Sequence, residues 1–231
     1  NENCGATDPL MLCDAVKKYR ADIGIALDGD ADRVVIVDEN GMVIDGDKLI
    51  GALAFNLKKE GKLTNNIAVA TVMSNKAMED FLRKNDISLI RANVGDKYVL
   101  EEMQKNGAIF GGEQSGHIIF SEFSKTGDGI LSALQVLSFV LKSKKKTSEA
   151  LHLFDLCPQL LKNINISKKV PLDQIDGLAS LIKDVEKQGI RQLIRYSGTE
   201  NKLRILLEGN HLKELEDFEE KFENFFKTKL S

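Results

Sequence analysis

Ile23-Gly24-Ile25-Ala26-Leu27-Asp28-Gly29-Asp30-Ala31-Asp32-Arg33-Val34-Val35-Ile36-Val37 reads as a strand, an acidic loop and a second strand. Residues 23–27 are a short apolar run bounded by polar residues, which suits a buried strand. Residues 34–37 repeat that texture, and Glu39-Asn40-Gly41 then turns the chain, with Asn40-Gly41 a strong hairpin signal. The acidic residues therefore sit on a strand-to-strand loop. Asp28, Asp30 and Asp32 place three carboxylates within five residues, and they repel one another unless something neutralises them. A divalent cation does so directly, and all-oxygen ligands point to a hard ion, with Mg²⁺ the first choice where phosphate is the substrate. Arg33 adds a planar fork suited to two phosphate or carboxylate oxygens.

Two rival readings of this loop are weighed on particular residues, and the second, a metal-dependent phosphatase with Asp28 as nucleophile, stays open as an alternative. A calcium-binding EF-hand also has acids at positions 1, 3 and 5, and Glu39 falls at position 12. However, Arg33 stands where the turn glycine belongs, and strands rather than helices flank the loop. A phosphatase with an Asp-x-Asp nucleophile also follows a strand, but it usually continues with Thr or Val where this chain has Asp32. A purely structural acidic turn is the remaining alternative.

Outward from this run, a helical stretch from near Pro9 to Tyr19 precedes it. From Gly46 onward strands and helices alternate. A helix carries Leu49, Ile50, Leu53 and Leu57, and strand 67–72 follows. Helix 77–82, strand 87–90, helix 96–104 and strand 108–110 come next, then helix 130–141 and a helical continuation over 150–154 before Pro158. This alternation argues for a parallel sheet with crossover helices. Past about residue 162 the texture changes. A strand near 164–170, a helix with Leu178, Leu181, Ile182 and Val185, strands 192–196 and 203–207, and a final helix carrying Phe218, Phe222, Phe225 and Phe226 read as a small α+β domain. The expected class is α/β, with segments 1–46, 47–162 and 163–231.

Bulk properties set limits. The 231 residues are 42% hydrophobic and 29% charged, which is enough apolar material for a real core. A net charge of −3 gives no electrostatic case for nucleic acid. No apolar run approaches the roughly 18 residues that suggest a membrane span. Cys4, Cys13 and Cys157 lack zinc spacing and a disulfide framework, and read as reduced thiols of a cytoplasmic protein. The chain starts on Asn1 without Met, in what reads as a loop, and is expected to be a piece of a longer protein.

Two further loops carry chemistry. Gly111-Gly112-Glu113-Gln114-Ser115-Gly116-His117 has glycines that admit a close ligand, and Glu113 and Ser115 can hydrogen-bond sugar hydroxyls. An ordinary hairpin turn explains it as well, and His117 by itself reads as a structural histidine. Arg195-Tyr196-Ser197-Gly198-Thr199-Glu200-Asn201 offers backbone N–H groups around a glycine, two hydroxyls and a fixed cation, which is good chemistry for an unreacting phosphate. The basic run Lys142-Ser143-Lys144-Lys145-Lys146 reads as a solvated helix end.

The three loops, in this order, resemble those of the α-D-phosphohexomutases. Asn3-Cys4-Gly5-Ala6-Thr7, Thr71-Val72-Met73-Ser74-Asn75 and Val94-Gly95-Asp96-Lys97-Tyr98-Val99 extend the resemblance over the whole chain. Gln114 and the Ser197-Gly198-Thr199 form of the last loop favour the aminosugar branch, with phosphomannomutase or phosphoglucomutase as the alternative. The resemblance implies a mixed or parallel sheet domain with crossover helices plus a smaller C-terminal domain. It implies Mg²⁺ on Asp28, Asp30 and Asp32, with Arg33 stabilising the transferring group. Glu113 and Ser115 would contact the sugar, and Arg195, Ser197, Gly198 and Thr199 the distal phosphate. The implied reaction interconverts glucosamine 6-phosphate and glucosamine 1-phosphate through a phosphoserine and a bisphosphorylated sugar. It also implies a cytoplasmic enzyme of peptidoglycan-precursor synthesis, with a homodimer as one assembly open to the full-length protein.

Departures are few. The family commonly has Pro at Tyr196 and Asn201, and often Arg at Lys97. Tyr196 in place of Pro is expected to loosen the approach to its loop. The phosphoserine loop lies outside the chain, so the metal site implied here is one ligand short and the chain alone is expected to be inactive.

Overall fold

The computed structural model describes residue 2, residues 4–198 and residues 200–230. Its contacts divide the chain into two units, Asn1–Asp155 and Leu156–Ser231.

The first unit opens with helix α1 (Leu10–Tyr19), followed by strands β1 (Ile23–Leu27), β2 (Val34–Asp38) and β3 (Val43–Ile44). These form an antiparallel sheet in the order β1-β2-β3, with Ile23 opposite Asp38 and Leu27 opposite Val34. The period of two assigns each face its partner. Val34, Ile36 and Ile44 enter the main core, with Ile23, Ile25 and Leu27 against it, while Val37 joins Cys13 and Val16 of α1. Gly24 allows this approach, because a Cβ there would lie 2.7 Å from a Val16 methyl. In the hairpin after β2 only Gly41 takes a positive φ (73°), and the buried Asp38 carboxylate accepts from the N–H groups of Asn40 and Met42, both at 2.9 Å. The turn is thus a three-residue loop closed by an aspartate.

The chain continues through α2 (Gly46–Lys59), β4 (Ile67–Thr71), α3 (Lys76–Lys84), β5 (Ser88–Ala92), α4 (Asp96–Asn106), β6 (Phe110–Gly112), β7 (Ile118–Phe120), α5 (Gly129–Ser143) and α6 (Thr147–Leu151). The second sheet runs β5-β4-β6-β7. Strand β4 is parallel to β5 and β6, and β7 returns antiparallel to β6. Ala68 and Ala70 face the core built with Leu49, Leu53, Met78 and Leu82, whereas Val69 faces Val99 and Met103 of α4. Helices therefore cover both faces, as a parallel sheet requires. The loops after β4, β5 and β6 emerge at one end of the sheet, where open α/β sheets hold their ligands. The α/β expectation holds, with a mixed sheet.

Several boundaries differ from the sequence reading, and three of the differences have a clear physical reason. The strand expected at 108–110 is Phe110–Gly112, because Gly111 and Gly112 supply the backbone that pairs with Val69 and Ala70. Helix α6 stops at Leu151, and Phe154 beyond it stacks on Phe81 with centroids 4.8 Å apart. The strand expected at 164–170 is β8 (Gln159–Asn165), so a boundary at 162/163 would cut a strand of the second unit.

In that unit, α7 (Leu178–Lys187), β9 (Arg191–Tyr196), β10 (Lys202–Glu208) and α8 (Leu212–Leu230) follow β8. The antiparallel order is β8-β10-β9. Leu203, Ile205 and Leu207 form the buried face of β10 against Leu215, Phe222, Phe226 and Leu230, and Phe218 and Phe225 flank them partly buried. Among the described residues no helix is long and apolar enough to cross a membrane, and Cys4 and Cys13 are free thiols.

Candidate metal centre and ligand loops

The β1–β2 loop folds back on itself at Ala31, which takes a left-handed φ of 58° while its N–H donates to the Asp28 carbonyl at 3.1 Å. That turn gathers the side chains. Asp28, Asp30 and Asp32 each bring a carboxylate oxygen within 4.8 Å of the others. Asp28 is buried and accepts twice from Arg33, from the backbone N–H at 3.0 Å and from Nε at 2.5 Å. Burial pushes its carboxyl up, but the Arg33 N–H, guanidinium and charge outweigh this and hold it below the usual range. Asp32 gives Oδ2 to His117, while its Oδ1 is buried without a hydrogen-bond partner. That oxygen lies 3.5 Å from Arg33 Nε, longer than an ordinary hydrogen bond, and a carboxylate oxygen without a hydrogen bond beside two further carboxylates is a costly arrangement that a hard divalent cation satisfies. The residues fit such an ion.

The second loop is joined to the first. Arg33 and His117 form an antiparallel bridge, and Val34 N–H donates to the Gly116 carbonyl at 3.1 Å. Gly116 has φ 91°, and a Cβ there would lie 2.1 Å from the Val34 carbonyl oxygen. Only glycine lets the strands approach so closely. Glu113 spends one oxygen on the Gly95 N–H at 2.9 Å, which ties the start of α4 into the site. Ser115 is exposed. Gln114 turns its amide away to Asp45 Oδ2 at 3.2 Å, and Asp45 in turn caps α2 through the Asp47 N–H.

Sequence reasoning missed the contribution of Gly127, Asp128 and Gly129. Gly129 N–H donates to the Ala31 carbonyl at 2.9 Å, Asp128 caps α5 through the Leu131 N–H, and Gly127 N–H donates to His117 Nε2. The local signal was the run Thr126-Gly127-Asp128-Gly129 ahead of an apolar helix.

The third loop belongs to the second unit and joins β9 to β10. Ser197 is buried, its N–H donates to the Lys202 carbonyl at 2.8 Å, and its hydroxyl accepts from Glu200 N–H at 3.2 Å. Gly198 is exposed, with open space where a Cβ would stand. Thr199 lies outside the described residues. Lys169, which sequence reasoning did not select, donates to the Ser197 carbonyl at 2.9 Å. Tyr196 does not loosen the loop. Its hydroxyl donates to the Val170 carbonyl at 2.6 Å and accepts from the Val170 N–H at 3.2 Å, an anchor that a proline lacks. Glu200 pairs with Lys202 and Arg204, and the hydrogen bond from Lys202 is the main reason its carboxyl titrates below the ordinary range.

Family comparisons match this architecture segment by segment. Models described as phosphoglucomutase/phosphomannomutase alpha/beta/alpha domain II, alpha/beta/alpha domain III and C-terminal domain match residues 6–41, 45–157 and 161–225. The chain belongs to the phosphoglucomutase/phosphomannomutase family. Among curated members of that family, the phosphoglucosamine mutase of Wolinella succinogenes is 63% identical over 230 residues, covering 100% of this chain and 52% of the relative. That of Aliarcobacter butzleri is 59% identical over the same share. The chain thus spans about half the length of the curated relatives it matches. A family protein from Burkholderia thailandensis shares the fold with a TM-score of 0.74 at 17% identity, over 96% of this chain and 50% of that one. An Aspergillus fumigatus N-acetylphosphoglucosamine mutase, solved with GlcNAc-6P and magnesium, gives 0.73 at 21%, over 99% and 53%.

Proposed function

We propose that this chain is the metal-, sugar- and phosphate-binding portion of a phosphoglucosamine mutase, which interconverts glucosamine 6-phosphate and glucosamine 1-phosphate. The observation that carries this reading is the acidic loop, with three converging carboxylates and Arg33 held on Asp28, bridged directly to the glycine-rich loop of Glu113 and Ser115. Residues 6–41 then belong to a second domain, 45–157 to a third and 161–225 to a fourth, in the order of the matched family models, with β8 kept whole in the last unit.

In this reading Asp28, Asp30 and Asp32 hold Mg²⁺, which when bound draws charge from a transferring phosphoryl group. Arg33 keeps Asp28 ionised and presents the rest of its guanidinium for phosphate oxygens. Glu113, steadied by Gly95, and Ser115 orient the sugar through its hydroxyls. Arg195, Ser197, Gly198 and Thr199, in the second unit, take the phosphate that is not reacting. The phosphoserine that donates and recovers the phosphoryl group comes from outside this chain.

A phosphatase reading with Asp28 as nucleophile is disfavoured, because both of its oxygens already accept from Arg33. Binding and turnover separate the proposal from its rivals. With Mg²⁺ present, glucosamine 6-phosphate should shift the amide resonances of Ser115 and Gly198, and the chain alone should not convert it even with glucose 1,6-bisphosphate. Hydrolysis of the sugar phosphate by the chain would favour the phosphatase instead.

A further inference from the structure

Behind Asp32 stands a histidine whose tautomer is set by a backbone amide. His117 is 4% exposed, with Nδ1 3.1 Å from Asp32 Oδ2 and Nε2 3.0 Å from the Gly127 nitrogen. A backbone N–H can only donate, so Nε2 must supply its lone pair, and the ring proton then sits on Nδ1. Nδ1–H therefore donates to Asp32 Oδ2. The remaining oxygen, Oδ1, is buried without a hydrogen bond and lies 3.5 Å from Arg33 Nε.

The contact depends on a missing side chain. A Cβ on Gly127 would lie 2.4 Å from His117 Nε2, so any other residue would drive the ring off its position. The ring is also fixed from its own backbone, through the bridge to Arg33 and the Glu113 N–H bond to the His117 carbonyl at 2.9 Å. An Asp32 carboxylate anchored through one oxygen cannot rotate to hide the other.

We propose that Gly127, His117 and Asp32 form a relay, with Gly127 and His117 as positioning residues. Gly127 fixes the His117 tautomer, and His117 holds Asp32 so that Oδ1 faces a divalent cation shared with Asp28 and Asp30. This rests on the reading of the acidic loop as a cation site. Hydrogen-bond partners behind a metal ligand typically contribute about 10–100-fold in affinity.

The test uses the chain with Mn²⁺ as the probe, its affinity read by electron paramagnetic resonance, alongside ¹⁵N resonances of the His117 ring without metal. The wild-type ring should show Nδ1–H and an unprotonated Nε2. His117→Leu should weaken Mn²⁺ binding by about 10–100-fold. His117→Asn, whose amide nitrogen can take the place of Nδ1, should recover most of that loss, and Gly127→Ala should weaken binding with His117 intact. An Nε2–H tautomer in the wild type would overturn the relay, and this holds even if His117→Leu fails to fold. Unchanged Mn²⁺ affinity in a folded His117→Leu would overturn it too, with the cation site left standing. No Mn²⁺ binding by the wild type would overturn the cation site and the relay together.

Discussion

Arg195 on β9 and Arg204 on β10 stand directly opposite each other across an antiparallel pair, at the mouth of the Ser197–Gly198 loop. Like charges in that position destabilise a sheet, by an amount comparable to the about 0.2–1 kcal/mol that favourable pairs contribute. Glu200 reaches Arg204 at 3.3 Å, Arg204 Nε is buried without a partner, and among the described residues Arg195 has no ion pair. The arrangement makes sense around an anion. Arg195→Gln should leave stability unchanged or raise it by about 0.2–1 kcal/mol in urea unfolding. The same variant should lose about tenfold or more in affinity for glucosamine 6-phosphate, measured by calorimetry.

The three aspartates should separate by burial. Asp30 is exposed, so Asp30→Asn should change stability by less than about 0.5 kcal/mol while sharply weakening Mg²⁺ binding. Asp28 is buried and accepts two hydrogen bonds from Arg33. Asp28→Ala should therefore destabilise the fold by about 1–3 kcal/mol as well as weaken the ion. Paired urea melts and Mg²⁺ titrations would show whether stability and binding divide in this way.

Asp47, in the first turn of α2, is fully buried and accepts from the Asn75 N–H at 2.7 Å. Burial, with the nearby Asp45 charge adding to it, pushes its carboxyl from 3.8 up to about 6. A raised native value favours the protonated form. Its contribution to stability is therefore complete below about pH 4 and is lost as the pH rises through about 6. Asp47→Asn should remove this dependence and make the protein more stable near neutral pH, by up to about 3 kcal/mol. Urea unfolding at about pH 4.5 and 7.5 would check the sign, with the wild type losing stability between them relative to the variant.

Gly116→Ala should be among the most disruptive small changes in the chain. It places a methyl 2.1 Å from the Val34 carbonyl oxygen at a φ of 91°. The expected cost is about 2–4 kcal/mol in chemical denaturation, combining strain at that φ with the clash. Separation of the two loops should also reduce metal affinity.

These residues show what the sequence made legible. Strand β1 and helices α1, α2 and α4 could be read because apolar periodicity and flanking polar residues coincide. The acidic loop could be read because its three carboxylates demand neutralisation. Strand β6 was displaced because glycines carry no strand signal, although Gly111 and Gly112 pair with Val69 and Ala70. Strand β8 was displaced because Val170 looked like its end, whereas its register is set by pairing from Gln159 opposite Glu208 to Asn165 opposite Lys202. The Gly127–His117–Asp32 contacts join residues 10 and 85 positions apart, so no local pattern announces them. Tyr196 was misjudged for the same reason, since its anchor Val170 lies 26 residues away.

The proposed role of this chain in a phosphoglucosamine mutase is tested most directly by a chimera. The matching half of the Wolinella succinogenes phosphoglucosamine mutase, 63% identical, can be replaced by this chain and conversion of glucosamine 6-phosphate to glucosamine 1-phosphate measured. The expected result is Mg²⁺-dependent turnover that is lost in the Asp30→Asn version. A folded chimera that binds Mg²⁺ yet leaves glucosamine 6-phosphate unconverted would contradict it.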